Sequence, residues 1–75
     1  MIKLRSNWYV AGFNDCYPSL AAAKAAIRDY FSPSERKRFL KYQFIYHDVG
    51  NETVSCVPIE VDDNGRVTFG RPRKL

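Results

Sequence analysis

The sequence predicts a small single α+β domain with element order β-α-α-β-β-β, its antiparallel meander packed against an amphipathic helix. Three observations carry that expectation. Apolar side chains recur at helical spacing between Leu20 and Phe31. Aromatic and β-branched runs separated by turn sequences fill Tyr42 to Phe69. Finally, 75 residues leave room for one core, without separate catalytic and regulatory lobes.

The elements follow in order. Lys3 to Phe13 contains Trp8, Tyr9, Val10 and Phe13, residues favoured on a pleated surface, and ends in the turn-forming pair Asn14-Asp15, so it reads as a first strand. Pro18 holds Tyr17 extended, and Ser19 is suited to cap a helix beginning at Leu20. Leu20, Ala23, Ile27, Tyr30 and Phe31 form that helix's apolar stripe, with Lys24 and Arg28 one turn apart on another face. Ser32-Pro33-Ser34-Glu35 is a capping box with proline at the first helical position, and it announces a second, short helix. The body of that helix, Arg36 to Lys41, offers Phe39 and Leu40 to the core and otherwise presents Arg36, Lys37, Arg38 and Lys41.

Tyr42 to Val49 and Thr53 to Val61 read as a hairpin joined by Gly50-Asn51, residues that tolerate positive φ. Pro58 shifts the apolar phase of the second strand, from positions 54 and 56 to 57, 59 and 61, as a bulge or an edge strand would. Asp62-Asp63-Asn64-Gly65 is a strong turn, and Val67 and Phe69 of the next strand share one face. The domain is expected to span residues 1–70, with Arg71-Pro72-Arg73-Lys74-Leu75 a basic, frayed tail. Whether the first strand joins the meander or packs beside it is open.

Composition narrows the function classes. At 45% hydrophobic and 15% aromatic the chain has the apolar material to fold. Cys16 and Cys56 lie far apart without CxxC spacing, which points to reduced thiols rather than a disulfide framework. The start of the chain carries no continuous apolar h-region, and no apolar run approaches the roughly 20 residues of a bilayer span, so a cytoplasmic protein without a membrane partner is expected.

No active site can be composed. His47 stands alone, and Asp48 beside it in a strand points to the opposite face and cannot orient it. Neither cysteine has a base nearby in sequence. Cys56 reads as a small buried residue and Cys16 as a loop thiol. Asp62-Asp63-Asn64-Gly65 lacks the alternating ligands and terminal glutamate of a calcium loop, and one histidine with two distant cysteines makes no zinc site. Glycines 12, 50, 65 and 70 form no phosphate-cradling loop. The expectation is a protein without enzymatic activity, cofactor or metal.

Charge is the informative pattern. Within the net +4, residues 1–47 carry eight Lys/Arg against three Asp/Glu, residues 48–65 none against five, and residues 66–75 four against none. Lys24, Arg28, Arg36, Lys37, Arg38 and Lys41, with Arg71, Arg73 and Lys74 of the tail, could merge into a positive surface for DNA or RNA, with Tyr30 and Tyr42 as stacking surfaces. The bland alternative is the solvated faces of two helices and an ordinary tail. A third reading takes the acidic hairpin, or a sheet edge near Pro58, as the docking surface for a protein partner, and opposite poles also suit a homodimer.

Trp8-Tyr9-Val10-Ala11-Gly12-Phe13, followed by Ser19-Leu20-Ala21-Ala22-Ala23-Lys24-Ala25-Ala26-Ile27, resembles the start of small uncharacterised proteins encoded by bacterial phages and integrative elements. The resemblance is confined to the amino-terminal part of the chain. It implies a bacterial cytoplasmic setting and brings no active site or ligand with it.

Overall fold

The computed structural model describes residues 6–75, so Lys3–Arg5, expected at the start of the first strand, lie outside the described residues. In chain order come β1 (Ser6–Val10), β2 (Cys16–Tyr17), α1 (Leu20–Tyr30), α2 (Pro33–Glu35) running into a π-helical turn (Arg36–Leu40), β3 (Phe44–Val49), β4 (Glu52–Val61), β5 (Val67–Phe69) and β6 (Arg73–Lys74). The class is α+β. The sheet is antiparallel in the order β2-β1-β3-β4-β5, with β6 also on β4.

Two strands go beyond the expected order. β2 returns along β1 after the turn at Gly12, whose φ of 89° suits glycine, and pairs Trp8 with Tyr17 and Tyr9 with Cys16. Cys16 is therefore an exposed strand residue rather than a loop thiol. β6 corrects the expectation of a frayed tail: Arg73 and Lys74 pair with Cys56 and Ser55, and the Leu75 amide donates to the Val54 carbonyl at 3.1 Å. The ladder groups of β4 hold the tail where its composition gave no sign of order.

Pairing sets the sidedness of the sheet. Val10, Ile45 and Val57 lie opposite one another on β1, β3 and β4, all three buried, and directly opposed side chains share a face. That face forms the core with Ile59, with Ala23 and Ile27 of α1, and with Leu40; Trp8, Tyr17, Leu20 and Phe69 close its margin. Ser19 caps α1 as its spacing predicts, accepting from the Ala22 amide at 3.0 Å. The Ser32–Glu35 capping box is also formed, and the hydrogen bonds from Ser32 hold the Glu35 carboxyl below the usual carboxylate range.

The second helix departs from expectation in its winding. Beyond Glu35 the chain widens to a π turn. Leu40 is fully buried, while Phe39, expected in the core, is 45% exposed with the Arg38 guanidinium 5.3 Å from its ring centroid.

Pro58 does not mark an edge. β4 is paired on both sides, with β3 along one and with β5 and β6 along the other. The Pro58 carbonyl accepts from Gly70 at 3.0 Å, so its missing N–H faces the break between β5 and β6, where no ladder acceptor is required. A side chain on Gly70 would begin 3.1 Å from the proline ring. The phase change in β4 is taken up elsewhere, by a register shift opposite His47 and Asp48 that leaves Val54 as the extra residue.

The turn after β4 docks α2. Asp62 Oδ1 accepts from the Asn64 and Arg66 amides at 2.9 and 2.8 Å, and Gly65 closes the turn at φ 80°. An added Cβ there would lie 2.6 Å from the Pro33 carbonyl oxygen and 2.7 Å from its Cα. Gly65→Ala is therefore expected to lower stability by at least the ~1–3 kcal/mol of a left-handed non-glycine residue, read as a lower urea midpoint with an unchanged slope.

Candidate functional site

The structure places the nine basic residues in three settings. Lys24 and Arg28 flank β5, their charged groups 5.1 and 5.4 Å from the Phe69 ring centroid. Arg36 donates from Nη1 to the Gly65 carbonyl at 3.2 Å and from Nη2 to the Arg28 carbonyl, and its buried Nε has no protein partner. Lys37 Nζ donates to the Asp63 carbonyl at 3.2 Å. The acidic turn thus lies against the basic helix instead of facing away, and these four cations hold α1, α2 and the β4–β5 turn together.

Arg38 and Lys41 stand apart from that seam. Each sits beside an exposed ring: Arg38 over Phe39, and Lys41 with Nζ 5.6 Å from the centroid of Tyr42, which is 84% exposed. Arg71, Arg73 and Lys74 are exposed at the β4 margin, with Arg73 opposite Cys56. Of the two tyrosines named as stacking surfaces, Tyr30 is also open, at 74%.

Tyr42 carries the least expected geometry. The Gln43 amide donates to the Leu40 carbonyl at 3.1 Å, closing a four-residue turn in which Lys41 adopts φ −62° and ψ 128° and Tyr42 φ 67°. Those are the angles of a type II turn, whose third position favours glycine. A bulky ring held there in solvent is strain without compensating burial, and such strain clusters at working sites. Beside it, a groove of about 320 Å³ opens between Lys41–Phe44 and Pro58–Val61.

Beyond the turn, aromatics recur at strand period on β3. Phe44 and Tyr46 alternate with the buried Ile45 and so occupy the face away from the helices. Tyr9 lies opposite Tyr46, ring centroids 5.5 Å apart, and Phe44 and Tyr46 are 6.2 Å apart. All three rings are half-buried, and Cys56, in the same row, is buried. The two-residue spacing of Tyr42, Phe44 and Tyr46 was present in the sequence; only the side it faces was not.

His47 has partners that sequence could not supply. Its ring stacks on Trp8 at 3.8 Å with an interplanar angle of 2°, and Nε2 hydrogen-bonds Ser6 Oγ. Asp48 accepts from Thr53 Oγ1 at 2.6 Å instead of orienting the imidazole. A second, smaller pocket of about 130 Å³ reaches Val10, Ile27 and Leu40 beneath Phe31, with Asp15, Tyr17 and Tyr30 at its rim. Burial, then the neighbouring Asp15, raises the Tyr17 hydroxyl above its ordinary value. Among the described residues no cluster of three or more His, Cys, Asp or Glu could hold a metal, and no helix is long and apolar enough to cross a membrane.

No protein-family model, curated protein or solved structure matches this chain.

The strain at Tyr42 gives a direct test. Tyr42→Gly removes the left-handed penalty and little buried area, so it is expected to raise stability by about 1 kcal/mol, read as a higher thermal midpoint. An unchanged or lower midpoint would mean that the ring contributes to folding.

Proposed function

We propose that the protein is a non-enzymatic accessory binding protein that contacts nucleic acid through the basic surface around Arg38 and Lys41. The observation that carries this reading is the pairing of open rings with cations that make no side-chain hydrogen bond among the described residues, Phe39 with Arg38 and Tyr42 with Lys41, in a segment whose backbone is strained at the second of those rings. Phosphate attracts the cations by counterion release, and the rings offer π faces to bases. Arg71, Arg73 and Lys74 extend the positive potential, whereas Arg36 and Lys37 support it as structural residues, since their donors are used within the fold. The alternative is a protein-interaction module acting through its acidic hairpin or a sheet edge; at Pro58 itself β4 is paired by β5, Gly70 and β6, so that edge would lie elsewhere in the sheet.

The test is fluorescence anisotropy of labelled mixed-sequence DNA and RNA at two salt concentrations. Micromolar or tighter binding that falls several-fold at the higher salt is expected. The double variant Arg38→Glu with Lys41→Glu should bind more weakly and reduce the salt slope by about one per phosphate contact removed. No binding at low salt, or binding indifferent to salt and to the double variant, overturns the proposal.

A further inference from the structure

We infer that the sheet face opposite the helices is a stacking track for unpaired nucleic acid, running from Tyr42 across Phe44 to Tyr46 and Tyr9. The inference rests on the nucleic-acid reading above and adds its substrate class, single strands rather than duplex.

The argument begins with alternation. Phe44 and Tyr46 share one side of the sheet because Ile45 between them is fully buried on the other. Ala23, Ile27 and Leu40 place the helical layer on the Ile45 side, and among the described residues the other side of the sheet carries no helix. The rings form a continuous surface, Phe44 6.2 Å from Tyr46 and Tyr46 5.5 Å from Tyr9, above a floor closed by the buried Cys56 and the half-buried Pro58. The groove joining Phe44 to Tyr42 and Lys41 extends that surface to the strained turn.

Charge selects the occupant. Arg73 lies opposite Cys56, on the side of Tyr46 away from Tyr9, and Lys41 stands at the Tyr42 end, so cations border the rings along the β4 side and at the turn. Aromatic stations beside cations match a polyanion carrying exposed bases. A duplex keeps its base faces stacked inside and shows only its edges in the grooves, which a flat row of half-buried rings cannot enter. Glu60 shares the groove and would repel phosphate. Its carboxylate accepts from Thr68 Oγ1 at 3.4 Å, on the β5 side of β4, while Lys41 lines the groove from the turn before β3.

The experiment compares a labelled pyrimidine oligonucleotide with the same sequence as duplex at one salt concentration, using the full chain, Tyr46→Ser, Tyr9→Ser and Tyr46→Phe. Single-strand binding about tenfold or more tighter than duplex binding, lost by a similar factor in each serine variant and kept in Tyr46→Phe, is the expected result. Should the serine variants unfold by circular dichroism, ring resonances of Tyr9, Phe44 and Tyr46 in the unmodified protein provide the readout, and they should shift on titration with the single strand. Equal affinity for both forms with those resonances unmoved overturns the track and leaves the nucleic-acid reading standing. Resonances that shift with protein concentration alone assign the face to a second copy of the chain and overturn the inference. Absence of salt-dependent binding to either form removes the reading itself.

Discussion

The burial of Ile45 between Val10 and Val57 is the constraint on which the architecture depends. Strand side chains alternate, so fixing Ile45 inward fixes Phe44 and Tyr46 outward, and a one-residue slip would exchange them. Everything packed on the inner face, Ala23 and Ile27 from α1 and Leu40 from the π turn, reinforces the same choice. In a chain of this size one helical layer covers one face of the sheet, and the other must be closed by its own side chains. Tyr9, Phe44 and Tyr46, themselves half-buried, stand beside Cys56 and Pro58 on that face.

The second dependency is the seam between α2 and the β4–β5 turn. Pro33 rests on Gly65 at a distance that admits no side chain, and Arg36 and Lys37 satisfy carbonyls of that turn and of α1. The charge segregation seen along the sequence is thereby partly spent inside the fold. What stays outside the seam is Arg38 and Lys41 beside their exposed rings, and the exposed Arg71, Arg73 and Lys74.

The α+β class, α1 with its Ser19 cap, the Ser32 capping box and the Gly50-Asn51 hairpin were legible because each rests on local chemistry. β2 and β6 were not: two-residue strands carry no periodic signal and exist because a neighbouring ladder has unpaired groups. Pro58 reads as a bulge or an edge marker because the rule concerns the missing donor, and only the partner strands reveal that β5 and β6 break opposite it. The candidate site was half visible. Its basic residues stood out by charge, but which were already engaged depended on contacts from Lys24 to Phe69 and from Lys37 to Asp63. The strain at Tyr42 follows from a turn that the residue's own preferences oppose.

β1 enters the sheet beside β3, so both helices lie within the loop that its pairing closes; Ser6 and His47, hydrogen-bonded across that seam, are 41 residues apart. The β3–β4 hairpin, by contrast, closes through two residues. Loop-closure entropy grows with the length enclosed, which favours the hairpin as the early structure and β1 as a late arrival. Trp8, the only tryptophan in the chain, stacks on His47 at that seam. The molecule carries its own fluorescent reporter at the joint whose pairing encloses both helices.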